Sequence, residues 1–272
     1  MSGRKMPSAH PSPAVLDAFG AAGPARRLPG GQGSSWAAGD LVFKPVQGPT
    51  HAWLAEAFAD VVPDGFRLAA PARTRTGAWT CAGWSATHRV EGHEPDFSDG
   101  TTWSAILAAA RAFHRAVGHV ERPGFLASRE DSWARADRVA WGEADAGFRP
   151  EFDDLVRRLR PALAPLGRSQ LVHGDLTGNV LFAVGMPPAI IDISPYWRPP
   201  AYAEGVVVAD ALCWHAAPAS LLETLDVPVA AVARALLFRM ATTNDRVLSG
   251  TPGLDVGDEA ERYGRAVALI GL

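Results

Sequence analysis

The feature that most constrains the fold is a change in the spacing of apolar residues along the chain. Up to about residue 86, apolar residues come in short runs separated by turn residues, as in Leu41-Val42-Phe43, a pattern typical of β-strands. After about Val90 they recur at helical spacing, first between Trp103 and Val117. The sequence therefore predicts an α+β protein with a small β-rich N-terminal lobe and a larger, mainly helical C-terminal lobe.

Individual elements follow from the same patterns. The N-terminal lobe is expected to span residues 25–86, with one helix from Thr50, as its N-cap, to about Val62. Strands are expected at 67–74 and 79–86. The C-terminal lobe is expected to span residues 87–272, with short strands between 171 and 193. Further helices are predicted at 132–146, 151–163, 207–216, 227–246 and 258–270.

Composition argues against several classes of protein. The 272 residues include 26 basic and 29 acidic side chains, and this balance does not favour a nucleic-acid partner, whose phosphates need clustered basic charge. Two cysteines, Cys81 and Cys213, cannot supply a four-cysteine zinc site. No stretch reaches the roughly 18–20 apolar residues of a membrane span, and residues 1–13 lack a signal-peptide apolar run. We therefore expect a cytoplasmic protein with no membrane partner, monomeric or weakly dimeric, with a disordered tail at 1–24.

The most informative segment is His173-Gly174-Asp175-Leu176-Thr177-Gly178-Asn179, followed by a strand, a turn at 185–188 and Ile191-Asp192. If the two strands form a hairpin centred near residues 185–186, Asn179 and Asp192 lie directly opposite each other. Opposed Cβ atoms are ~4.5–5.5 Å apart. An amide and a carboxylate at that separation can share Mg²⁺, which completes its shell with water and phosphate oxygens.

Asp175 adds a second carboxylate near the same edge of the hairpin. A carboxylate that orients a hydroxyl beside two metal-holding groups is the arrangement that phosphoryl transfer requires. The alternative is a simple turn, because Asp, Gly and Asn all favour turns. The two histidines in apolar helical patterns, His114 and His215, are interpreted as packed, hydrogen-bonded side chains.

Lys44 is distinguished by the rarity of lysine in this chain. Among 26 basic residues, lysine occurs only at Lys5 and Lys44, so arginine is the default cation of this chain. In a hairpin around the turn at residues 39–40, Lys44 lies opposite about Ser35 and beside a glycine-rich turn. Its ammonium is a compact point charge suited to phosphates. The alternative is a surface lysine at the end of a strand.

These residues resemble the aminoglycoside phosphotransferase-like branch of the protein-kinase-like fold, whose catalytic loop reads His-Gly-Asp, four residues, Asn. The resemblance implies that Asp175 is the catalytic base and that His173 braces the loop. It implies that Asn179 and Asp192 hold Mg²⁺ and that Asp210, inside an apolar helix, supports the catalytic loop.

The resemblance also implies a site for ATP or GTP. Lys44 would pair with Glu56 on the following helix, and backbone N–H groups of the glycine-rich turn would contact phosphates. The backbone of the segment that links the lobes, placed at Trp84–Ala86, would bind the base. The residues to which this gives a nucleotide-binding role are Lys44, Glu56, Gln32, Gly33, Ser34, Ser35, Trp84, Ser85 and Ala86.

The implied activity is transfer of the γ-phosphate to a hydroxyl of a small molecule. The acceptor need not be an aminoglycoside, since the acidic cluster at residues 91–99 has only four carboxylates. One alternative is an inactive nucleotide-binding scaffold, against which the full set of Lys44, Asp175, Asn179 and Asp192 argues. Another is a protein kinase, which would have arginine at Gly174 and an Ala-Pro-Glu motif after the metal strand.

Overall fold

The computed structural model describes residues 10–29, 33–46 and 48–272. It confirms the predicted α+β division into a small antiparallel N-terminal sheet and a larger helical lobe. Within those ranges no helix is long and apolar enough to cross a membrane.

The N-terminal lobe is built on short strands. They are β1 (Arg26–Arg27), β2 (Trp36–Ala38), β3 (Leu41–Pro45), β4 (Arg67–Leu68), β5 (Pro71–Ala72), β6 (Thr80–Cys81) and β7 (Trp84–His88). The sheet has the order β1-β2-β3-β7-β5, and β6 also pairs with β7. Trp36 pairs with Phe43, which confirms the register that sets Lys44 opposite Ser35.

Helix α1 (Pro13–Ala18) corrects the expectation of a disordered tail at 1–24 for the part of it that the structure describes. Ser12 caps the helix by accepting a hydrogen bond from the Val15 N–H, and Pro13 occupies its first turn, where proline is favoured. Val15 and Phe19 are buried against the N-terminal sheet. Residues 1–9 lie outside the described residues.

Helix α2 (Thr50–Ala57) begins where expected but is capped by Pro49, without a side-chain hydrogen bond, and ends before Val62. Its apolar residues Leu54 and Phe58 belong to the large core of the C-terminal lobe. The ring of Phe58 lies 5.9 Å from that of Phe113, centroid to centroid. Helix α1, rather than α2, therefore covers the small sheet.

The C-terminal lobe contains α3 (Gly100–Ala116), α4 (Ser132–Ala140), α5 (Pro150–Leu159), α6 (Pro200–Trp214), α7 (Leu221–Leu225), α8 (Val229–Leu248) and α9 (Val256–Leu269). Single 3₁₀ turns occupy Gly124–Ser128 and Arg160–Ala162. The strands of this lobe are β8 (Gln170–His173), β9 (Val180–Leu181), β10 (Ala189–Ile190) and β11 (Pro195–Arg198). Strand β10 pairs with β9 and, in parallel, with β4, so the two lobes share a sheet.

Several predicted boundaries are wrong for local reasons. Helix α5 ends at Leu159 because Pro161 follows, and proline cannot continue an α-helix. Helix α6 begins earlier than expected because Pro199-Pro200 forms its first turn. Strand β11 and helix α7 were not anticipated. Helix α6 is apolar on all sides and buried between α3, α8 and α9, which places Asp210 in the interior.

Candidate functional site

The cleft between the lobes holds a cavity of about 820 Å³. Ser35 and Lys44 line it from the N-terminal sheet, and Gly178, Asn179 and Asp192 line it from the C-terminal lobe. The segment from Thr87 to Gly92 forms another wall. Residues far apart in sequence, which the motifs singled out separately, therefore surround one space.

Lys44 forms an ion pair with Asp192 across the cleft, with Nζ 2.5 Å from Oδ2. The side chains are 35% and 49% exposed, so water reaches both. The expected pairing of Lys44 with Glu56 is wrong in this structure. Glu56 accepts a hydrogen bond from the Trp79 indole and lies 3.7 Å from Arg73, because it projects from the exposed face of α2.

The segment that links the lobes lies later than predicted. Trp84, Ser85 and Ala86 are buried within β7, where they pair with β3. The predicted position of the linking segment is wrong because β7 extends to His88, beyond the predicted end of the strand. Residues 88–92 follow it along the wall of the cavity, so these residues, not 84–86, occupy the linking position.

The glycine-rich turn is only partly described. Gln32 lies outside the described residues. Gly33 has φ +67°, and its carbonyl accepts a hydrogen bond of 2.7 Å from Arg27 Nε. Ser34 is exposed, and of the three predicted turn residues that the structure describes, Ser35 lines the cavity.

The hairpin that carries Asn179 and Asp192 is offset by one residue from its predicted register. Val180 pairs with Ile190, and the Ile191 N–H donates to the Asn179 carbonyl at 3.0 Å. Asp192 lies beyond the strand with φ +49°, so it is not directly opposite Asn179. The hairpin is centred on Gly185, which takes a positive φ of 70° in the turn. Both side chains nevertheless face the same cavity.

His173 is fully buried and makes hydrogen bonds that hold the loop from His173 to Asn179. Its Nδ1 accepts a hydrogen bond from the Asp175 N–H at 3.1 Å, and its Nε2 donates to the Ile191 carbonyl at 3.2 Å. The ring thus joins the loop to the strand before Asp192. Burial lowers the pKa of His173, which keeps the ring neutral and its Nδ1 free to accept.

A second histidine supports the first. His114 on α3 accepts a hydrogen bond from the His173 N–H through Nε2, at 3.2 Å. Burial and the neighbouring His173 lower the pKa of His114 to about 3. The interpretation of His114 as a packed, hydrogen-bonded residue is confirmed. His215 also packs, with its ring 4.0 Å from that of Phe97, centroid to centroid.

Gly174 is required by the close approach of an aromatic ring. A Cβ at this position would lie 2.3 Å from Cδ2 of Tyr196, a separation that real Cβ atoms do not show. Tyr196 lies in β11, where it pairs with Val172 of β8. The space that a side chain at position 174 would need is therefore already filled.

Asp175 is held by contacts on both of its carboxylate oxygens. Oδ1 accepts a hydrogen bond of 3.0 Å from Arg239 Nη2, and Oδ2 lies 3.4 Å from Asn179 Nδ2. Arg239 in turn donates to Asp210 through Nε at 2.8 Å and Nη2 at 2.6 Å. We call Asp175, Arg239 and Asp210 the arginine clamp.

Burial separates the Arg239–Asp210 pair of this clamp from the Lys44–Asp192 pair. The side chains of Arg239 and Asp210 are 12% and 6% exposed. Burial raises the pKa of Asp210 and Arg239 opposes that shift, while the two carboxylates hold the pKa of Arg239 well above its usual value against the effect of burial. Asp210 therefore reaches Asp175 only through Arg239.

The loop from His173 to Asn179 is shorter than the family pattern that it resembles. Three residues, 176–178, separate Asp175 from Asn179, where the pattern given above has four. In this structure Asn179 Nδ2 donates to the Asp175 carbonyl at 2.7 Å. The Asn179 side chain thus bonds back to Asp175 within the same loop, and both of its hydrogen bonds use its nitrogen.

The donors present suit a hard cation. With Nδ2 engaged by Asp175, the Asn179 Oδ1 is left as an acceptor toward the cavity, and Asp192 adds carboxylate oxygens. Across the described ranges, no three His, Cys, Asp or Glu side chains form a group that would hold a metal unaided. Two oxygen donors fit Mg²⁺, which keeps waters and takes phosphate oxygens, better than a cation that needs a complete protein cage.

Two residues at the site, Arg239 and Tyr196, were not predicted from the sequence. Arg239 is 64 residues from Asp175 and is one arginine among many. Tyr196 follows the motif without belonging to it. Only the role of Arg239 had an indirect signal, since a buried Asp210 requires a partner.

No protein-family model matches the chain, and no curated protein sequence matches it. Several solved structures do match it. A choline/ethanolamine kinase family protein from Mesorhizobium loti is 20% identical, with a TM-score of 0.58 over 93% of this chain and 90% of that one. An aminoglycoside phosphotransferase from Alicyclobacillus acidocaldarius is 15% identical, with a TM-score of 0.57 over 100% and 96%.

A thermostable mutant of the aminoglycoside phosphotransferase APH(4)-Ia, in a ternary complex with ADP and hygromycin B, is also 15% identical, with a TM-score of 0.57 over 95% of this chain and 97% of that one. At these identities the likeness is one of fold. The chain has the two-lobed, protein-kinase-like fold that aminoglycoside phosphotransferases share with choline/ethanolamine kinase family proteins.

Proposed function

We propose that the chain is a Mg²⁺-dependent phosphotransferase that moves the γ-phosphate of ATP or GTP to a hydroxyl of a small molecule. The observation that carries the proposal is the convergence of Lys44, Asn179 and Asp192 on one interlobe cavity, with Asp175 held at its edge. A cation, two metal-type oxygen donors and a positioned carboxylate are the parts that phosphoryl transfer needs.

The cavity suits a nucleotide in size and in its distribution of charge. Its volume of about 820 Å³ lies within the range of ligand sites, ~300–1,000 Å³. Lys44 lies opposite Ser35, where the phosphates would lie, and residues 88–92 would meet the base through their backbone. The solved relatives that hold ADP or AMP-PNP with hygromycin B support this assignment by fold.

Asn179 Oδ1 and the Asp192 carboxylate would hold Mg²⁺. When bound, Mg²⁺ supplies charge neutralisation to the phosphate oxygens. Before it binds, Asp192 is engaged by Lys44. Because that pair is half-exposed and therefore weak, Lys44 can turn to the phosphates and release Asp192 at little cost in free energy.

Asp175 would act on the acceptor. Its carboxylate orients the acceptor hydroxyl and takes its proton as the oxygen bonds to the γ-phosphorus and the bond from phosphorus to the bridging oxygen breaks. His173 holds the Asp175 backbone, and Arg239 and Asn179 hold its side chain. These contacts keep the carboxylate from turning away from the cleft.

The protein-kinase alternative is disfavoured by Gly174. Arginine occupies this position in the protein-kinase loop, and the Tyr196 ring leaves no room for any side chain here. The scaffold alternative has no specific contact in its favour.

Mg²⁺-dependent nucleotide turnover tests the proposal. We expect turnover by the wild type and a turnover rate about 10²–10⁴-fold lower in Asp175→Asn. In Asp192→Ala, adding Mg²⁺ should no longer stimulate turnover. Asp64→Asn, in an exposed loop, is the matched control and should not change the rate. If the wild type and the variants bind nucleotide equally and none turns it over, the chain is an inactive nucleotide-binding scaffold. Labelling of polypeptides instead of small molecules would indicate a protein kinase.

A further inference from the structure

A second cavity, of about 270 Å³, lies on the other side of the catalytic loop. Thr177 lines this cavity, whereas Gly178 and Asn179 line the interlobe cavity. The loop therefore separates two spaces. We call the second one the Trp133 pocket.

Asp175 lies between a residue that lines one cavity and a residue that lines the other. Its Oδ1 contacts Arg239, which lines the Trp133 pocket, and its Oδ2 contacts Asn179, which lines the interlobe cavity. A hydroxyl presented from the Trp133 pocket would thus reach Asp175 from the side opposite the proposed phosphates. In-line transfer requires the nucleophile to approach from that direction.

The charges around the Trp133 pocket leave a cation unpaired. Its carboxylate, Asp210, is buried and bound on both oxygens by Arg239. Arg246 also lines the pocket and is exposed, and its guanidinium makes no ion pair or hydrogen bond with the part of the chain that the structure describes. The pocket therefore offers an arginine without a partner and no uncommitted carboxylate.

Two tryptophans give the pocket flat apolar walls. Trp133 on α4 and Trp214 at the end of α6 both line it, and their side chains remain 37% and 42% exposed. Tryptophan is enriched among the residues that carry binding energy in protein interfaces, and two of them here line the same pocket. The Trp214 ring is supported from behind by Tyr263, with centroids 6.0 Å apart.

We propose that the Trp133 pocket binds the phosphate acceptor, and that this acceptor is a small hydroxylated ring compound with one anionic group, a carboxylate or a phosphate. This inference rests on the proposed function. The anionic group pairs with Arg246, since guanidinium binds planar oxyanions through two hydrogen bonds, and the ring stacks on the tryptophans. A volume of about 270 Å³ is below that of drug-sized sites, so the acceptor is smaller than a multi-ring antibiotic.

A matched set of probes tests the charge preference. The four compounds share a 4-(hydroxymethyl)phenyl group and carry a carboxylate, a phosphonate, a methyl group or an aminomethyl group. Calorimetric titration measures the Kd of each for the wild type, Arg246→Ala and, as a surface control, Arg157→Ala. We expect one or both anions to bind at least about tenfold more tightly than the neutral and cationic probes, and this advantage to vanish in Arg246→Ala only.

The carboxylate and phosphonate arms identify which anion is preferred. Because the exposed Arg246 side chain makes no ion pair or hydrogen bond with the described residues, Arg246→Ala should keep the wild-type melting temperature. The inference is overturned if the amine binds as tightly as the anions, if Arg246→Ala binds them unchanged, or if neither anion binds up to about 10 mM, where even a millimolar Kd would be detected.

The result also separates this inference from the proposed function. Anion binding that depends on Arg246, without any nucleotide turnover, would support the anion site and contradict the phosphotransferase. Turnover that depends on Asp175, with tighter binding of the amine, would support the phosphotransferase and contradict the anion site.

Discussion

Two ion pairs at the same site differ in burial. Lys44–Asp192 joins the two lobes with side chains that are 35% and 49% exposed, whereas Arg239–Asp210 lies inside the C-terminal lobe with side chains that are 12% and 6% exposed. An exposed pair contributes roughly 0–1 kcal/mol, while removing one partner of a buried pair costs about 3–5 kcal/mol. The cleft pair can therefore exchange partners, and the arginine clamp cannot.

This difference matches the two tasks of the site. The residues proposed to meet phosphate and metal must release each other when those ligands arrive. The carboxylate proposed to receive the proton must hold one orientation throughout. Asp175 and Asp192 are similarly exposed, at 44% and 49%, so the burial of their partners separates them: Asp192 pairs with the half-exposed Lys44 and is free to change partner, whereas Asp175 is held by the buried Arg239.

Breaking the clamp should have the largest effect. Arg239→Met leaves Asp210 buried without a partner, so we expect a loss of about 3–5 kcal/mol in the free energy of unfolding, measured by urea titration. The double variant Arg239→Met/Asp210→Leu should recover much of this loss, because it removes both buried charges. A single variant as stable as the wild type would show that the clamp is not a buried pair in solution.

Filling the space behind the loop should have the next largest effect. In Gly174→Ala the new methyl group meets the Tyr196 ring, and overpacking of this kind costs about 1–3 kcal/mol. Gly124→Ala, where a Cβ has nothing within 4 Å, is the control and should change stability little. Replacing Tyr196 by Leu in the Gly174→Ala background should restore part of the loss; no restoration would refute the steric explanation.

The histidine pair predicts a pH dependence. His114 and His173 have a lower pKa in the folded protein than in the unfolded chain, where it is about 6.5. Below about pH 6.5 the unfolded state binds more protons than the folded state, so stability should fall as the pH drops. The fall should continue toward pH 3 for His114, and each histidine should contribute up to about 1.4 kcal/mol per pH unit while it stays neutral in the folded protein. Urea titrations at several pH values should show a shallower slope for His114→Gln than for the exposed control His119→Gln. Equal slopes would contradict a neutral, buried His114.

Breaking the cleft pair should change stability least. Lys44→Met should alter the free energy of unfolding by no more than about 1 kcal/mol, yet weaken nucleotide binding as measured by titration calorimetry. Arg75→Met, which removes an ion pair with Asp17 on the surface, is the stability control. A large loss of stability in Lys44→Met would remove the distinction between the two pairs.

The sequence predicted the division into lobes and the convergence of Lys44, Asn179 and Asp192 because both depend on local patterns: apolar period, turn position and rare residues. The predictions from sequence failed where the outcome depends on how a helix is rotated or on contacts between residues far apart in the chain. Whether Glu56 faces Lys44 depends on the rotation of α2 about its axis, which is set by Leu54 and Phe58 packing into the other lobe. Arg239 could not be distinguished from other arginines, since its role depends on the packing of α8 against α6.

The most direct test of the account is a crystal structure of the chain with Mg²⁺ and a non-hydrolysable ATP analogue. The account predicts the triphosphate against Lys44, with the Lys44–Asp192 ion pair broken, a cation between Asn179 Oδ1 and Asp192, and Asp175 still bound to Arg239 on the opposite side of the γ-phosphate. A nucleotide bound elsewhere, or an intact Lys44–Asp192 pair with no cation on Asn179, would contradict it.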